Sequence, residues 1–456
     1  MIPPLKDFSK NPARKNQYIV QNLNDTLENR SSISSKYSIS SKYSDADCGL
    51  RETVPNRKMV DPRDLGKITK SASKPIFKGL GDDFVILRSK AQLRVKRFLL
   101  QEEACKLLPS ERVNNCLKKR ISKDKGVLVK YNPVTKAACY GNLQLCSSVW
   151  SCPVCAAKIS EKRRSELKQG IARHRKNGGH VYLLTLTNSH HFGDNLMELM
   201  AGQKKALKYL WSDRKSKEHF AELGKVGHIT ANEVTHGENG WHPHMHILLF
   251  FDKEVDIEEL QMFIANYWQH CCKKANLKKP SLDHGCDITD GSFADRYVSK
   301  WGLEEEMTKG HIKKGREGGN TPFDLLRLSE QGCERSGQLF QQFAAAYKGK
   351  RQLFWSSGLK DLLGVPKTTD KQLAETEDAE SIEEEELALE IWRLVLIYKA
   401  RGELLKAYEL DRLDGEKRFN MLIEDLAKRY VIDYPDKLMR DAEIIGVRAE
   451  YLKQVI

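Results

Sequence analysis

Hydrophobic and polar positions alternate in an orderly way only in the middle of the chain. Val181-Tyr182-Leu183-Leu184-Thr185-Leu186-Thr187 is apolar and rich in β-formers, which predicts a buried strand. Leu196 to Phe220 carries its apolar residues at helical spacing. Val226 to Thr235 and His244 to Phe251 read as two strands, joined by the turn sequence Gly237-Glu238-Asn239-Gly240. Ile257 to Ala275 predicts a second helix and Leu282 to Ile288 a weaker strand. Ser292 to Met307 predicts a trailing helix, opened by a capping box between Ser292 and Asp295.

The order β-α-β-β-α-β is the split βαβ arrangement, so the expected class is α+β with a ferredoxin-like core and an antiparallel sheet. The flanks carry no such pattern. Residues 1–80 are rich in Ser, Asn, Lys and Asp, with a near-repeat at Ser34-Ser35-Lys36-Tyr37-Ser38 and Ser40-Ser41-Lys42-Tyr43-Ser44. That composition buries too little apolar surface to offset ordering entropy and predicts a disordered arm. Residues 81–178 form a helical, basic segment (helix expected over Phe84 to Lys123) ending in a cysteine cluster. The α/β segment occupies 179–310, a basic helical extension 311–366, and an acidic helical tail 367–456. In the tail, Leu387, Ile391, Leu394 and Tyr398 make an apolar stripe at helical spacing.

Charge sharpens these divisions. The 456 residues carry 76 Lys and Arg against 62 Asp and Glu, a net of +14. The tail from Lys367 holds 15 basic and 22 acidic residues, so it is −7 and the preceding 366 residues are +21. A basic body of that size favours a polyanionic partner, nucleic acid first. No apolar run approaches the roughly 20 residues of a membrane span, and Met1 to Lys6 lacks a secretory apolar core. The expected setting is therefore cytoplasmic and without membrane contact, and the eleven cysteines are expected as thiols or metal ligands.

The sharpest chemistry lies in Trp241-His242-Pro243-His244-Met245-His246. Alternate residues of a strand share a face, so His244 and His246 point the same way and form half of a divalent-metal site. A turn centred on Glu238 and Asn239 places Glu233 directly opposite His244. One carboxylate beside two imidazoles suits Mg²⁺ or Mn²⁺ with positions left for phosphate oxygens. A second signal is Tyr297-Val298-Ser299-Lys300, which puts Tyr297 and Lys300 on one helix face. A tyrosine held near a metal-bound phosphate, with a lysine to stabilise charge, can form a phosphotyrosine link.

The His244-Met245-His246 triplet followed by Tyr297-Val298-Ser299-Lys300 resembles the HUH endonucleases, and within them the single-tyrosine plasmid rolling-circle replication initiators (Rep proteins). Leu184-Thr185-Leu186-Thr187 and Cys146 to Cys155 resemble further parts of that family, over roughly residues 139 to 360. The resemblance implies nicking of one strand in a single-stranded loop of the plasmid double-strand origin. Tyr297 would keep the 5′ end, leaving a 3′-OH primer, with His244, His246 and Glu233 holding the metal and Lys300 assisting. Relatives carry a Glu one turn before the tyrosine as general base for termination; Phe293 stands there, leaving Asp290 and Asp295 as candidates. Host helicase and polymerase are the implied partners, and homodimerisation is an open expectation. Two other readings compete: a single-tyrosine HUH transposase, and a zinc-stabilised DNA-binding regulator without catalysis.

Cys139, Cys146, Cys152 and Cys155 are spaced C-x6-C-x5-C-x2-C and form a candidate structural zinc site. The candidate DNA-contacting residues are Arg163 and Arg164 after the cysteine knuckle, then Lys313, Lys314, Lys350 and Arg351. Trp355, beside Phe354, is a candidate stacking platform for single-stranded DNA.

Overall fold

The computed structural model describes residues 80–290, 319–375 and 383–434. The expected N-terminal arm, the Ser292 to Met307 helix with Tyr297, Lys300 and Asp295, and the pair Lys313 and Lys314 lie outside the described residues. The chain divides into two compact units. The larger runs from Leu93 to Val134 and from Tyr140 to Glu384; the described part of the smaller covers 80–92, 135–139 and 385–434.

In chain order the elements begin with α1 (Leu80–Leu107), β1 (Val127–Asn132), β2 (Ala137–Gly141) and α2 (Pro153–Lys176). The helix expected over Phe84 to Lys123 stops at Leu107, and a 3-10 turn at Arg112–Asn115 follows. Next come β3 (His180–Leu186), α3 (Leu196–Ser212), α4 (Arg214–Glu222), β4 (Lys225–Gly237) and β5 (Gly240–Phe251). Then α5 (Ile257–Lys274), a short α6 (Leu282–Gly285) and β6 (Cys286–Asp290) complete the central alternation. The expected strand from Leu282 is thus a helical turn first: Ser281 caps it by accepting from the His284 N–H at 3.1 Å, and extension begins at Cys286. After it lie α7 (Pro322–Glu330), α8 (Glu334–Tyr347), β7 (Leu353–Trp355), α9 (Leu359–Leu362) and α10 (Asp370–Glu375). The last elements are β8 (Glu383–Leu387), α11 (Leu389–Ile397), α12 (Arg401–Asp414) and α13 (Arg418–Asp433).

Five strands of the larger unit form one antiparallel sheet in the order β6-β3-β5-β4-β7. Each helical crossover skips a strand: β3 to β4 passes over β5, and β5 to β6 passes over β3. The two-residue turn Glu238-Asn239 closes β4 onto β5 with Gly237 opposite Gly240, and Gly240 adopts a positive φ of +80°. A side chain there would meet the Phe192 backbone at 3.2 Å, so glycine also permits the close approach of that loop. Pro243 continues β5 where β3 has already ended, so its missing N–H costs no bond on that side.

Strand parity divides the core into two layers. Tyr182, Leu184, Leu186, Met245, Ile247 and Leu249 face α3, α4 and α5 around the buried Trp268. Asn195 and Asp256 start α3 and α5 by accepting the N–H groups of Met197 and Glu259 at 2.9 and 3.0 Å. Val181, Leu183, Ile229, Ala231, Leu248 and Phe250 face the other way, against Leu167 and Ile171 of α2 and the segment from Leu353 to Val365. The smaller unit packs its own core of Leu404, Leu405, Tyr408, Phe419 and Ile423, with Tyr408 and Phe419 edge to face at 5.0 Å.

Candidate metal centre and its surroundings

Thr185, Glu233, His242, His244 and His246 share the parity of the second layer and so lie on the face that α2 covers further along. The register pairs Glu233 with His244 and places His246 between Thr185 and Ala231. His244 Nε2 lies 3.4 Å and His246 Nε2 3.0 Å from the same Glu233 oxygen, Oε2. Two imidazoles and one carboxylate therefore converge on one point, as the turn register predicts.

The outer ring nitrogens are already engaged. His244 Nδ1 donates to the His242 carbonyl at 3.2 Å, and His246 Nδ1 meets Thr185 Oγ1 at 3.1 Å. A proton on Nδ1 would leave each Nε2 lone pair for a cation, the tautomer a metal ligand requires, whereas in the metal-free centre the Nε2 atoms donate to Glu233. Thr185 belongs to the Leu184 to Thr187 stretch, yet only the register β3·β5 reveals that it faces a histidine. Burial works against charge on Glu233, but hydrogen bonds and charge from His244 and His246 outweigh it and hold the carboxyl well below the carboxylate range. Burial lowers His244 in turn, while the Glu233 hydrogen bond and charge raise it above its ordinary value. Burial, then the charges of His244 and His190, push His242 down to about 4.

The imidazoles continue as a file. Ring centroids of His190 and His242 are 4.6 Å apart, His242 and His244 5.2 Å, and His244 and His246 5.0 Å. A cleft beside Glu233 is lined by Val149, Trp150, Phe323, Phe343 and Gln352. Tyr347, fully buried behind it, has a hydroxyl with no hydrogen-bond partner. Burial and then the Glu233 charge raise its pKa well above the tyrosine range.

Asp290 is exposed at the end of β6 opposite Tyr182, which places it on the α3–α5 face, away from the histidines. The β6 carboxylate on the histidine face is Asp287, opposite Thr185. Parity, not proximity in sequence, makes that difference.

A second converging group is sulfur. Cys116, Cys146, Cys152 and Cys155 are buried with their Sγ atoms within 4.8 Å of one another. Cys139 is exposed on β2 and does not join them. The cluster thus differs from the expected set in one ligand: the fourth thiol comes from Cys116, just past the 3-10 turn and thirty residues before Cys146. Contact with the Cys116, Cys152 and Cys155 sulfurs, then burial, raises the Cys146 thiol far above its ordinary range.

The basic candidates separate by environment. Arg163 is tied down: it pairs with Glu166 and Asp370 at 2.7 Å each and donates to the Thr368 carbonyl at 2.9 Å. Arg164 pairs with Glu161. Trp355 packs into the second core layer with Lys360 Nζ 5.1 Å from its ring, while Phe354 faces outward, 50% exposed. Lys350 and Arg351 are exposed, and the Lys350 carbonyl accepts from Trp150 Nε1 at 2.8 Å.

An antiparallel sheet offering an imidazole pair with an opposed carboxylate, beside a cluster of four thiols, defines a protein with two metal-competent centres. Comparison with known proteins gives that class its family. Residues 141–403, more than half the chain, match the replication protein family, and the chain belongs to it as a plasmid replication initiator. It is 26% identical over 310 residues to a protein rep of Streptomyces lividans, covering 53% of this chain and 68% of that one. It is 29% identical over 102 residues to a protein rep of Lentilactobacillus hilgardii, covering 22% of this chain and 31% of that one. A neomycin resistance protein of Streptomyces cyanogenus is 29% identical over 151 residues, 28% of this chain and 34% of that one. No solved structure matches. Among the described residues, no helix is long and apolar enough to cross a membrane.

Proposed function

We propose that the protein initiates rolling-circle replication by nicking one strand at the plasmid double-strand origin, using the β6-β3-β5-β4 sheet as a ferredoxin-like HUH core. The observation that carries this reading is the convergence of His244 and His246 Nε2 on Glu233 Oε2, on rigid paired strands, in a chain of the replication protein family. These three residues fit a divalent cation, Mn²⁺ or Mg²⁺: two neutral nitrogen donors, one carboxylate, and outer nitrogens already hydrogen-bonded. When bound, the cation would polarise the scissile phosphate and offset its charge.

The chain's own groups supply the remainder. The His242 carbonyl can only accept and so favours the Nδ1 proton of His244, and Thr185 Oγ1 can accept the Nδ1 proton of His246 when its Nε2 binds the cation. The Tyr297 hydroxyl loses its proton and its oxygen bonds to phosphorus; the bond from phosphorus to the 3′ oxygen breaks, and that oxygen leaves protonated as a 3′-OH primer. Tyr297 is then joined to the 5′ phosphate, with Lys300 stabilising the charge on the nonbridging oxygens and Asp295 the candidate base for termination. Lys313, Lys314, Lys350, Arg351 and the partly exposed Arg164 are the proposed backbone contacts, while Arg163 is held by Glu166 and Asp370. A host polymerase would extend the primer behind a host helicase in the cytoplasm.

The test uses supercoiled plasmid carrying its origin, with Mn²⁺ or Mg²⁺. Nicked circles and a covalent protein–DNA adduct are the expected products. Tyr297→Phe should lose the adduct; undiminished nicking by that variant overturns the nucleophile. His244→Ala with His246→Ala should abolish metal-dependent cleavage, and cleavage that persists places the metal elsewhere.

A further inference from the structure

We propose that Cys116, Cys146, Cys152 and Cys155 bind one zinc ion as a closed tetrathiolate centre, and that this centre holds the wall of the cleft beside Glu233. A tetrahedral site with zinc–sulfur bonds of about 2.3 Å requires sulfur–sulfur separations of about 3.8 Å. The Cys116–Cys155, Cys146–Cys155 and Cys152–Cys116 pairs lie 3.5, 3.7 and 3.8 Å apart. Those separations are too long for disulfide bonds of about 2.05 Å. All four residues are at most 4% exposed, so no position is left for water, as a structural site demands.

The surroundings suit thiolates. Gln101, itself fully buried, donates its amide N–H to Cys152 Sγ at 3.0 Å, and the Cys155 backbone N–H points at the same sulfur at 3.5 Å. Cys152 is the N-cap of α2 and Cys155 lies in its first turn, so two ligands sit at the positive end of a 24-residue helix. Pro153 at the first helical position sets the turn between them.

The centre joins separate segments, and the chain after the 3-10 turn is also paired to the loop before α2, where the Leu117 N–H donates to the Gln144 carbonyl at 2.7 Å and the Gln144 N–H to the Lys119 carbonyl at 2.8 Å. Gln101 comes from α1, Cys116 from the irregular chain after it, Cys146 from the loop before α2, and the rest from α2 itself. Val149 and Trp150 lie on the loop between Cys146 and Cys152 and line the cleft with Glu233. Trp150 packs its ring against Tyr347 at a tilt of 53°, with centroids 4.6 Å apart, and donates to the Lys350 carbonyl. Pinning both ends of this loop therefore sets where the cleft wall stands.

The deciding experiment measures metal content in the full-length chain, purified without chelator and dialysed. One zinc per chain is expected in the wild type and in Cys139→Ser, and none in Cys116→Ser. Zinc lost from Cys139→Ser and kept by Cys116→Ser would overturn the assignment. Because Cys116→Ser can fail to fold, Cys116→His provides an independent arm. Cobalt substituted into the wild type should give the intense visible bands of a tetrahedral thiolate site, shifted to higher energy in Cys116→His as one sulfur is replaced. An unshifted spectrum in that variant removes Cys116 from the ligand set, and iron in place of zinc overturns the metal's identity. The double variant His244→Ala, His246→Ala should retain its zinc and the wild-type cobalt spectrum, so failure of this centre and failure of the nicking reading are separable.

Discussion

Thr185→Val replaces one hydroxyl with a methyl group of similar volume, 3.1 Å from His246 Nδ1. His246 is only 5% exposed, so water does not easily replace the lost acceptor. A buried donor left unsatisfied costs about 1–3 kcal/mol. The metal-free ring avoids that cost by keeping its proton on Nε2, where Glu233 Oε2 accepts it at 3.0 Å, and in that tautomer Nε2 does not bind a cation. Metal binding must then restore the unfavourable tautomer. Loss of an outer-shell partner of this kind weakens metal affinity roughly 10- to 100-fold, or about 1.4–2.8 kcal/mol, the same range reached from the buried donor. Calorimetric titration of the full-length protein with Mn²⁺ should show that loss in Thr185→Val and its recovery in Thr185→Ser. Nicking by Thr185→Val should approach the wild-type rate as Mn²⁺ is raised. Unchanged Mn²⁺ affinity in a folded Thr185→Val protein would refute the tautomer argument.

Four further outcomes follow from the structure. In metal-free protein, Glu233 is depressed and contributes stability above its ordinary value of 4.5 that is lost as pH falls through the folded value. His244 is raised and contributes stability below 6.5 that is lost as pH rises through its folded value. Denaturant titrations should therefore give a stability maximum across this window that Glu233→Gln flattens; an unaltered profile would contradict the pairing. Arg163→Ala should cost on the order of 3 kcal/mol in denaturation, because Glu166 loses a close partner, while leaving the salt dependence of DNA binding unchanged. Lys350→Ala with Arg351→Ala should do the reverse, lowering the salt slope by about 0.9 for each phosphate no longer neutralised. Burial pushes Lys225 down to about 7 from 10.5, so stability should rise with pH between those values as the unfolded chain alone keeps its proton. Lys225→Met should remove that rise, and its persistence would place the effect on another group.

The sequence by itself determined whatever depends on short-range periodicity. A period of two puts His244 and His246 on one face, and a two-residue turn at Glu238-Asn239 fixes which β4 residue stands opposite, so Glu233 followed from counting alone. The alternation from β3 to β6 likewise emerges from local apolar pattern, with the crossovers then set by antiparallel pairing. Tertiary structure decided what depends on distant segments. Cys139 is near the knuckle in sequence but is exposed on a strand and does not join the cluster, while Cys116, with no spacing to advertise it, does. Trp355 reads as a stacking residue beside a basic run, yet pairing of β7 with β4 turns its ring into the core and leaves Phe354 outside. Asp290 and Asp287 are equivalent carboxylates in sequence, and only the register against β3 assigns them to opposite faces. Arg163 reads as available to phosphate because its partner Asp370 lies two hundred residues away, a separation no local pattern can span.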